Sequence, residues 1–285
     1  MKKIVLALVF LFMVGSLPQM SKADAASAVS PYETPVCMTV NGKFIDLEVP
    51  CFLNKGYTMV PIRAVSDALL ADEVIWNEKD SSVKIIRGNV SITLKNNSNK
   101  AVVNGKTVTL DMASGIFHDR LFVPARFVAE SFGAKVSWDK NTYTVAISDN
   151  TISVPEHLIG DRGYSENDLY WLSRIINSES QGEPMKGKIA VANVVLNRVQ
   201  SNLYADNIYD VIFDTNYGVQ FTPVLNGSIY NVPLGDSIIA AKRALNGESH
   251  AGKSLYFLNP KTAQSFWIVN NRIFYKSIGN HDFYL

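Results

Sequence analysis

The strongest constraint on this chain is an internal repeat. "TVNGKFIDL" (39–47) matches "VVNGKTVTL" (102–110), and "YTMVPIRAVSDAL" (57–69) matches "RLFVPARFVAESF" (120–132). "VIWNEKDSSVKII" (74–86) matches "VSWDKNTYTVAI" (136–147). The first two pairs lie 63 positions apart and the third 62. Three anchors in one order predict two copies of one small unit, about 36–88 and 89–149, each burying its core best against its twin. Asn41-Gly42 and Asn104-Gly105, flanked by apolar residues, are two-residue hairpin turns. Arg63 to Leu70 and Arg126 to Phe132 read as short amphipathic helices after a proline, followed by strands carrying Trp76 and Trp138. Arg63 and Arg126 suit either an anionic ligand or a repeated ion pair at the helix start.

This region resembles the copper amine oxidase N-terminal-like domain, through its "VNG", "VPxR" and Trp anchors. Copper does not follow from the resemblance, because the region holds one histidine, His118, and a copper site wants several imidazoles. The loop position beside Asp119-Arg120 suits His118 without any ligand.

Outside the repeat, the N-terminus carries Lys2 and Lys3, an apolar run from Ile4 to Val14, and Ala23-Asp24-Ala25. That reads as a secretory signal peptide spanning 1–25, with a retained anchor as the alternative. The run is short for a membrane span of about 20 residues, and no later segment is longer, so the mature chain is expected to lack a membrane span. In an exported protein the only two cysteines, Cys37 and Cys51, are expected to form a disulfide worth about 3 kcal/mol at most. The formal net charge of +1 advertises no polyanionic partner, so nucleic acid is not expected. Residues 150–164, with Pro155, Gly160 and Gly163, read as a linker.

Residues 165–285 form a second domain, read as α+β: helices around a core plus a small antiparallel sheet. Ser165 with Asp168 starts a helix running from about Glu166 to Ser180, stopped by Gly182. Pro184 opens the next, "MKGKIAVANVVLNRV" (185–199), apolar on nearly every face and therefore buried. A third covers "SIIAAKRALNG" (237–247). The tail "SFWIVNNRIFYKSIG" (265–279) reads as a hairpin turning at Asn270-Asn271.

The first helix carries Leu172 and Ile176 on one face, and the next position on that stripe is Glu179. A carboxyl there sits in the last turn at the edge of the buried face, where burial raises its pKa toward the value a general acid needs. A helix cap or an ion pair with Arg174 or Arg198 is the structural alternative. Glu183, just before Pro184, suits a helix cap more than catalysis.

"INSESQGEPMKGKIAVANVVLNRV" resembles the core motif of the spore cortex-lytic, or germination-type, cell wall hydrolases. Further resemblances follow in order: "VIF" (211–213), "QFTPVLNG" (220–227), "AAKRALNGES" (240–249), "YFLNP" (256–260) and "IGNHDFY" (278–284). They span 168–285, and one departure is Ser180, where the family usually has Ala. The resemblance implies a lysozyme-like fold, peptidoglycan glycan strands as substrate, lytic transglycosylase activity without a cofactor, and Glu179 as the catalytic acid. Softer candidates for substrate contact are Glu183, Gln220, Phe221, Thr222, Tyr256, Asn259, Trp267 and His281. Core packing is the alternative for the aromatic rings, and a structural role for His281. The expected protein is thus an exported, monomeric enzyme of the cell wall or spore, its repeat domain a wall-binding module or spacer. A muramidase that uses water on the same bond, or a non-catalytic wall-binding protein, are the competing readings. No metal site is expected.

Overall fold

The computed structural model describes residues 34–216 and 218–285. The signal peptide expected at 1–25 lies outside the described residues. The first half is β-rich. It opens with β1 (Pro35–Val40), β2 (Lys43–Phe44), β3 (Cys51–Asn54) and β4 (Tyr57–Pro61), then α1 (Ile62–Ala68). Next come β5 (Glu73–Asn77), β6 (Ser82–Arg87), β7 (Val90–Lys95), β8 (Lys100–Val103) and β9 (Lys106–Thr109). The strand–helix–strand–strand order recurs in β10 (Gly115–Phe117), β11 (Arg120–Pro124), α2 (Ala125–Ser131), β12 (Lys135–Asp139) and β13 (Thr144–Ser148).

Both predicted Asn-Gly turns form. Asn41 and Asn104 sit at φ of 49° and 48°, and the glycines after them at 77° and 79°, the left-handed pair a two-residue hairpin needs. β5 to β9 make one five-stranded sheet in sequence order. The other sheet has eight strands, in the order β10-β11-β4-β3-β1-β13-β12, with β2 paired to β1. Within it β4 and β11 are buried on both faces over Met59–Pro61 and Leu121–Pro124. Val60 and Val123 point into the main core. Met59 and Phe122 point the other way, into a smaller cluster where Phe52, Phe117 and Phe122 pack with ring centroids 4.9–5.8 Å apart.

The expected disulfide is not formed: Cys37 and Cys51 are free thiols. Across the β1–β3 ladder Cys51 faces Val36, not Cys37. A one-residue offset places Cys37 on the opposite side of the pleat. There its sulfur lies 3.9 Å from the Tyr164 hydroxyl. Cys51 is fully buried in the core, and burial pushes its thiol pKa up.

Residues 150–164 are strapped to the first domain. Ile159 bridges Ile45, and Gly160 donates its N–H to the Phe44 carbonyl at 3.0 Å. A Cβ at 160 would meet Asp46 at 2.8 Å, so this crossing needs glycine.

The second half is α+β, as expected. Its helices are α3 (Glu166–Ser180), α4 (Met185–Val199), α5 (Ile208–Phe213), α6 (Thr222–Asn226) and α7 (Gly235–Leu245). β14 (Tyr256–Leu258), α8 (Trp267–Asn271), β15 (Phe274–Ile278) and β16 (His281–Tyr284) complete it. α3, α4 and α7 pack around Leu172, Ile176, Ile189, Ala192 and Ala240, and β16 lies between β14 and β15. The tail corrects the sequence reading: Asn270-Asn271 ends a short helix, and the hairpin turns instead at Gly279-Asn280. The two halves meet where Lys242 of α7, fully buried, donates to the Thr142 and Tyr143 carbonyls, both at 2.9 Å.

Candidate active site

α3 begins with a full capping box. Asp168 N–H donates to Ser165 Oγ at 3.0 Å, and Ser165 N–H donates to Asp168 Oδ2 at 2.9 Å. From that fixed start the apolar stripe buries Leu169, Leu172, Ile175 and Ile176, and carries Glu179 to the far end of the helix. The position after it is indifferent to the Ala-to-Ser departure, because the Ser180 hydroxyl donates back to the Ile176 carbonyl at 2.7 Å.

Glu179 does not meet a core neighbour. It lines a cleft of about 730 Å³. Arg198 enters from the last turn of α4, and Leu203 and Tyr204 from the loop after it. Gln220, Phe221 and Thr222 line the cleft at the start of α6. Tyr256 of β14, Trp267 of α8 and Arg272 just beyond it complete the wall. Of the expected candidates, Glu179, Gln220, Phe221, Thr222, Tyr256 and Trp267 are therefore brought together.

The other three are placed elsewhere. The Glu183 carboxylate is buried in the α3–α4 turn and is occupied by Asn280, which donates its N–H at 2.9 Å and its Nδ2 at 3.0 Å. Burial acts to raise its pKa. The bonds from Asn280, with His281 and Lys188 nearby, outweigh that and hold it below the usual range. Asn259 organises its own turn, its side chain accepting from Lys261 N–H at 3.0 Å. His281 is buried against Phe257 and Phe283, and burial holds its pKa down against the pull of Glu183 and Asp282. None of the three lines the cleft.

Arg198, Tyr204 and Arg272 are functional candidates that the sequence reading did not place in the site. The Arg198 guanidinium is buried, 5.1 Å from the Phe221 ring centroid and 4.9 Å from that of Tyr204. Its Nε donates to the Leu255 carbonyl at 2.8 Å and its Nη1 to Gln220 Oε1 at 3.4 Å. Arg272 lies over Tyr256 and Trp267, at 4.6 and 4.9 Å from their ring centroids. Its Nε is buried with no partner among the described residues.

Glu179 is the only carboxyl among the described residues lining this cleft. No ion pair forms to either arginine named as its alternative partner. Burial pushes its pKa up to about 7. At neutral pH it holds its proton about half the time, the condition for giving one up and taking one back.

The same shift fixes a stability prediction. Between pH 4.5 and about 7 the folded protein keeps a proton on Glu179 that the unfolded chain has released. Stability therefore falls as pH rises through that window, and the full penalty is present above it. Glu179→Gln removes the penalty. We expect it to raise the unfolding free energy by about 1–3 kcal/mol at pH 8 and to leave it unchanged at pH 4. Urea unfolding at the two pH values measures this; an equal effect at both means the carboxyl is not shifted.

Among the described residues no group of three or more His, Cys, Asp or Glu is placed to hold a metal ion. Between residues 36 and 149, where the resemblance to a copper protein lies, the single histidine offers no imidazole cluster, so the residues present do not fit copper.

Two family models match the chain. Residues 39–147 match the family model described as Copper amine oxidase N-terminal domain. Residues 182–284 match the one described as Cell Wall Hydrolase. A spore cortex-lytic enzyme of Halalkalibacterium halodurans is 41% identical over 121 residues, covering 42% of this chain and 36% of the relative. One from Oceanobacillus iheyensis is 38% identical over 133 residues, covering 47% and 45%. The chain thus matches less than half the length of these relatives. Among solved structures, the catalytic domain of the germination-specific lytic transglycosylase SleB from Bacillus anthracis is 40% identical. That match covers 44% of this chain and 100% of the solved domain, with a TM-score of 0.41. The Bacillus cereus SleB catalytic domain is 39% identical, covering 44% and 94%, with a TM-score of 0.39. On this sequence identity, the C-terminal domain of the chain belongs to the cell wall hydrolase family.

Proposed function

We propose that this protein is an exported, peptidoglycan-cleaving lytic transglycosylase that breaks the muramic acid–glucosamine bond with Glu179 as its single acid and base. One observation carries the reading: among the described residues the cleft holds one carboxyl, and that carboxyl has a pKa raised to about 7 by burial alone. The matched family range begins at residue 182, beyond Glu179, so the role of Glu179 rests on its geometry.

Hydrolysis by most glycosidases needs two carboxyls across the scissile bond. A transglycosylase needs one. Protonated Glu179 gives its proton to the bridging oxygen, and the bond from that oxygen to C1 of muramic acid breaks. The C6 hydroxyl of the same sugar attacks C1, and its proton goes to the Glu179 carboxylate. The product is a 1,6-anhydro sugar; no water is consumed and the enzyme is regenerated. Arg198 and Arg272 present positive charge to the cleft, which suits a strand bearing lactyl and stem-peptide carboxylates. Tyr256 and Trp267 offer aromatic surface to sugar rings. No cofactor enters the scheme.

On this reading residues 165–285 have a lysozyme-like fold and act on spore cortex or the vegetative wall. Residues 36–149 are two copies of one unit, joined to the enzyme through 150–164. The testing experiment is digestion of purified cortex and vegetative peptidoglycan, with mass analysis of the fragments. Anhydro-muramic ends are expected. Reducing-end muramic acid would make the protein a muramidase and call for a second carboxylate. An intact polymer from both sources would leave only a wall-binding protein.

A further inference from the structure

The first domain contains two clefts built from corresponding residues. One, of about 480 Å³, is lined by Arg126, Val136 and Trp138 from the second repeat segment and by Tyr57 and Thr58 from the first. The other, of about 220 Å³, is lined by Arg63, Val74 and Trp76 from the first segment and by Arg120 and Leu121 from the second. Every one of these positions has its counterpart 62 or 63 residues away in the other cleft. Each cleft is therefore shared between segments, and the sharing is reciprocal.

The sheet explains the reciprocity. In the antiparallel β4–β11 ladder Val60 pairs with Val123, Met59 with Pro124 and Pro61 with Phe122. Val123 is the counterpart of Val60, so the ladder is centred on a pair of equivalent residues. An antiparallel pair so centred has a local two-fold axis through that point. The axis carries Tyr57 at one end onto Arg120 at the other, and one cleft onto its twin.

The chemistry inside the clefts is repeated as well. Trp138 is 38% exposed and Trp76 is 40% exposed, so each indole leaves part of its surface open within its cleft. Beside each indole an arginine stands four residues before an acid on the same short helix. Arg126 pairs with Glu130 at 3.0 Å, and Arg63 stands in the same relation to Asp67. Arg126, Glu130 and Asp111 line the larger cleft, and Arg63, Arg120 and Asp119 the smaller, so each mixes guanidinium donors with carboxylate acceptors. That set suits hydroxyl groups better than an anion, and the indole face suits the apolar side of a pyranose ring.

We propose that these twin clefts are two saccharide-binding sites, each taking a short stretch of a glycan strand, with Trp76 and Trp138 as the stacking surfaces. A domain with two equivalent sites fits a polymer whose units repeat. The choice of glycan rests on the catalytic reading above; the existence of the paired clefts does not.

The test uses the full mature chain carrying Glu179→Gln, so that ligand is not cut, and peptide-free glycan fragments of about four sugars as the titrant. Calorimetry should show sites beyond the catalytic cleft. Trp138→Ala and Trp76→Ala are each expected to remove one of them, weakening it at least tenfold, and the double variant both. Trp→Phe at either position should restore most of the binding. Unchanged thermal unfolding guards against a folding defect. The proposal is overturned if the folded double variant binds fragments with the parent's stoichiometry. It is also overturned if binding depends on the tryptophans only when stem peptides are attached, because the ligand is then peptide. Anhydro products from the Glu179 protein without tryptophan-dependent binding would sink this proposal alone. Tryptophan-dependent binding without any cleavage products would sink the catalytic reading alone.

Discussion

Glu179→Gln is expected to lower the rate of glycan-strand cleavage by about 10³-fold, within the range that general acid–base catalysis contributes. Glutamine fills the same space in the last turn of α3 and cannot donate a proton to the bridging oxygen. Because one group serves both steps in this scheme, no other carboxyl among the described residues of the cleft is available to take over. The variant should bind substrate normally, so the loss appears in kcat and not in KM. The wild-type pH profile carries a second signature. The acid must start protonated, so kcat/KM should fall as pH rises past about 7, where the buried carboxyl ionises. An ordinary carboxylate would have placed that fall two to three pH units lower. Release of muropeptides from purified peptidoglycan, followed with time across pH 5 to 9, measures both. A Gln variant retaining a tenth or more of the activity would remove Glu179 from the mechanism.

The candidate acid Glu179 was legible because it breaks a rule. Leu172 and Ile176 set a stripe, and a carboxyl at the next position has no packing explanation. The capping box at Ser165 and Asp168 was legible too, since cap chemistry is local, and it fixes where that stripe points. Arg198 was not. The sequence offers it only as an ion-pair alternative for Glu179, on a helix buried on nearly every face. Only the packing of Phe221 and Tyr204 turns it into a wall of the cleft. Tyr204 and Arg272 arrive from loops, whose approach no periodicity encodes. The tail misled for a related reason. Asn270-Asn271 satisfies a hairpin signal and equally ends a five-residue helix too short for a stripe. The disulfide failed on register: spacing brings Cys37 and Cys51 to neighbouring strands, and the ladder then pairs Cys51 with Val36.

The repeat shows what sequence similarity conveys and what it conceals. The matching anchors identified equivalent residues, including both arginines and both tryptophans. They did not reveal that each cleft borrows its opposite wall from the other segment, because that depends on the β4–β11 pairing. The two halves of the molecule are also not independent beads. Lys242 is buried, burial lowers its pKa, and it spends its hydrogen bonds on two carbonyls of the first domain. A glycan held by the repeat domain is thus presented to a cleft at a fixed distance.

The largest stability effect is expected at Gly279. It sits at φ 62°, where an L-residue is strained by about 1–2 kcal/mol. A Cβ there would also collide with Glu183 Oε2 and meet Pro184 Cδ at 3.0 Å. Relief requires moving the carboxylate that accepts both hydrogen bonds from Asn280, each worth about 1.5–3 kcal/mol to a charged group. Gly279→Ala should therefore destabilise the protein by about 3–5 kcal/mol. Gly247 gives the control: its φ is 95°, but nothing lies within 4 Å of an added Cβ, so Gly247→Ala should show only the backbone strain, about 1–2 kcal/mol. Adding Glu183→Ala to Gly279→Ala removes the collision, and the double variant should be more stable than the sum of the single effects by about 1–3 kcal/mol. Urea unfolding of the four variants decides the matter; equal losses at 279 and 247 would mean the hairpin does not clamp on Glu183. The clamp matters for catalysis because Glu183 holds the turn that follows Glu179. Loosening it should lower activity as well as stability, through the position of a carboxyl it never touches.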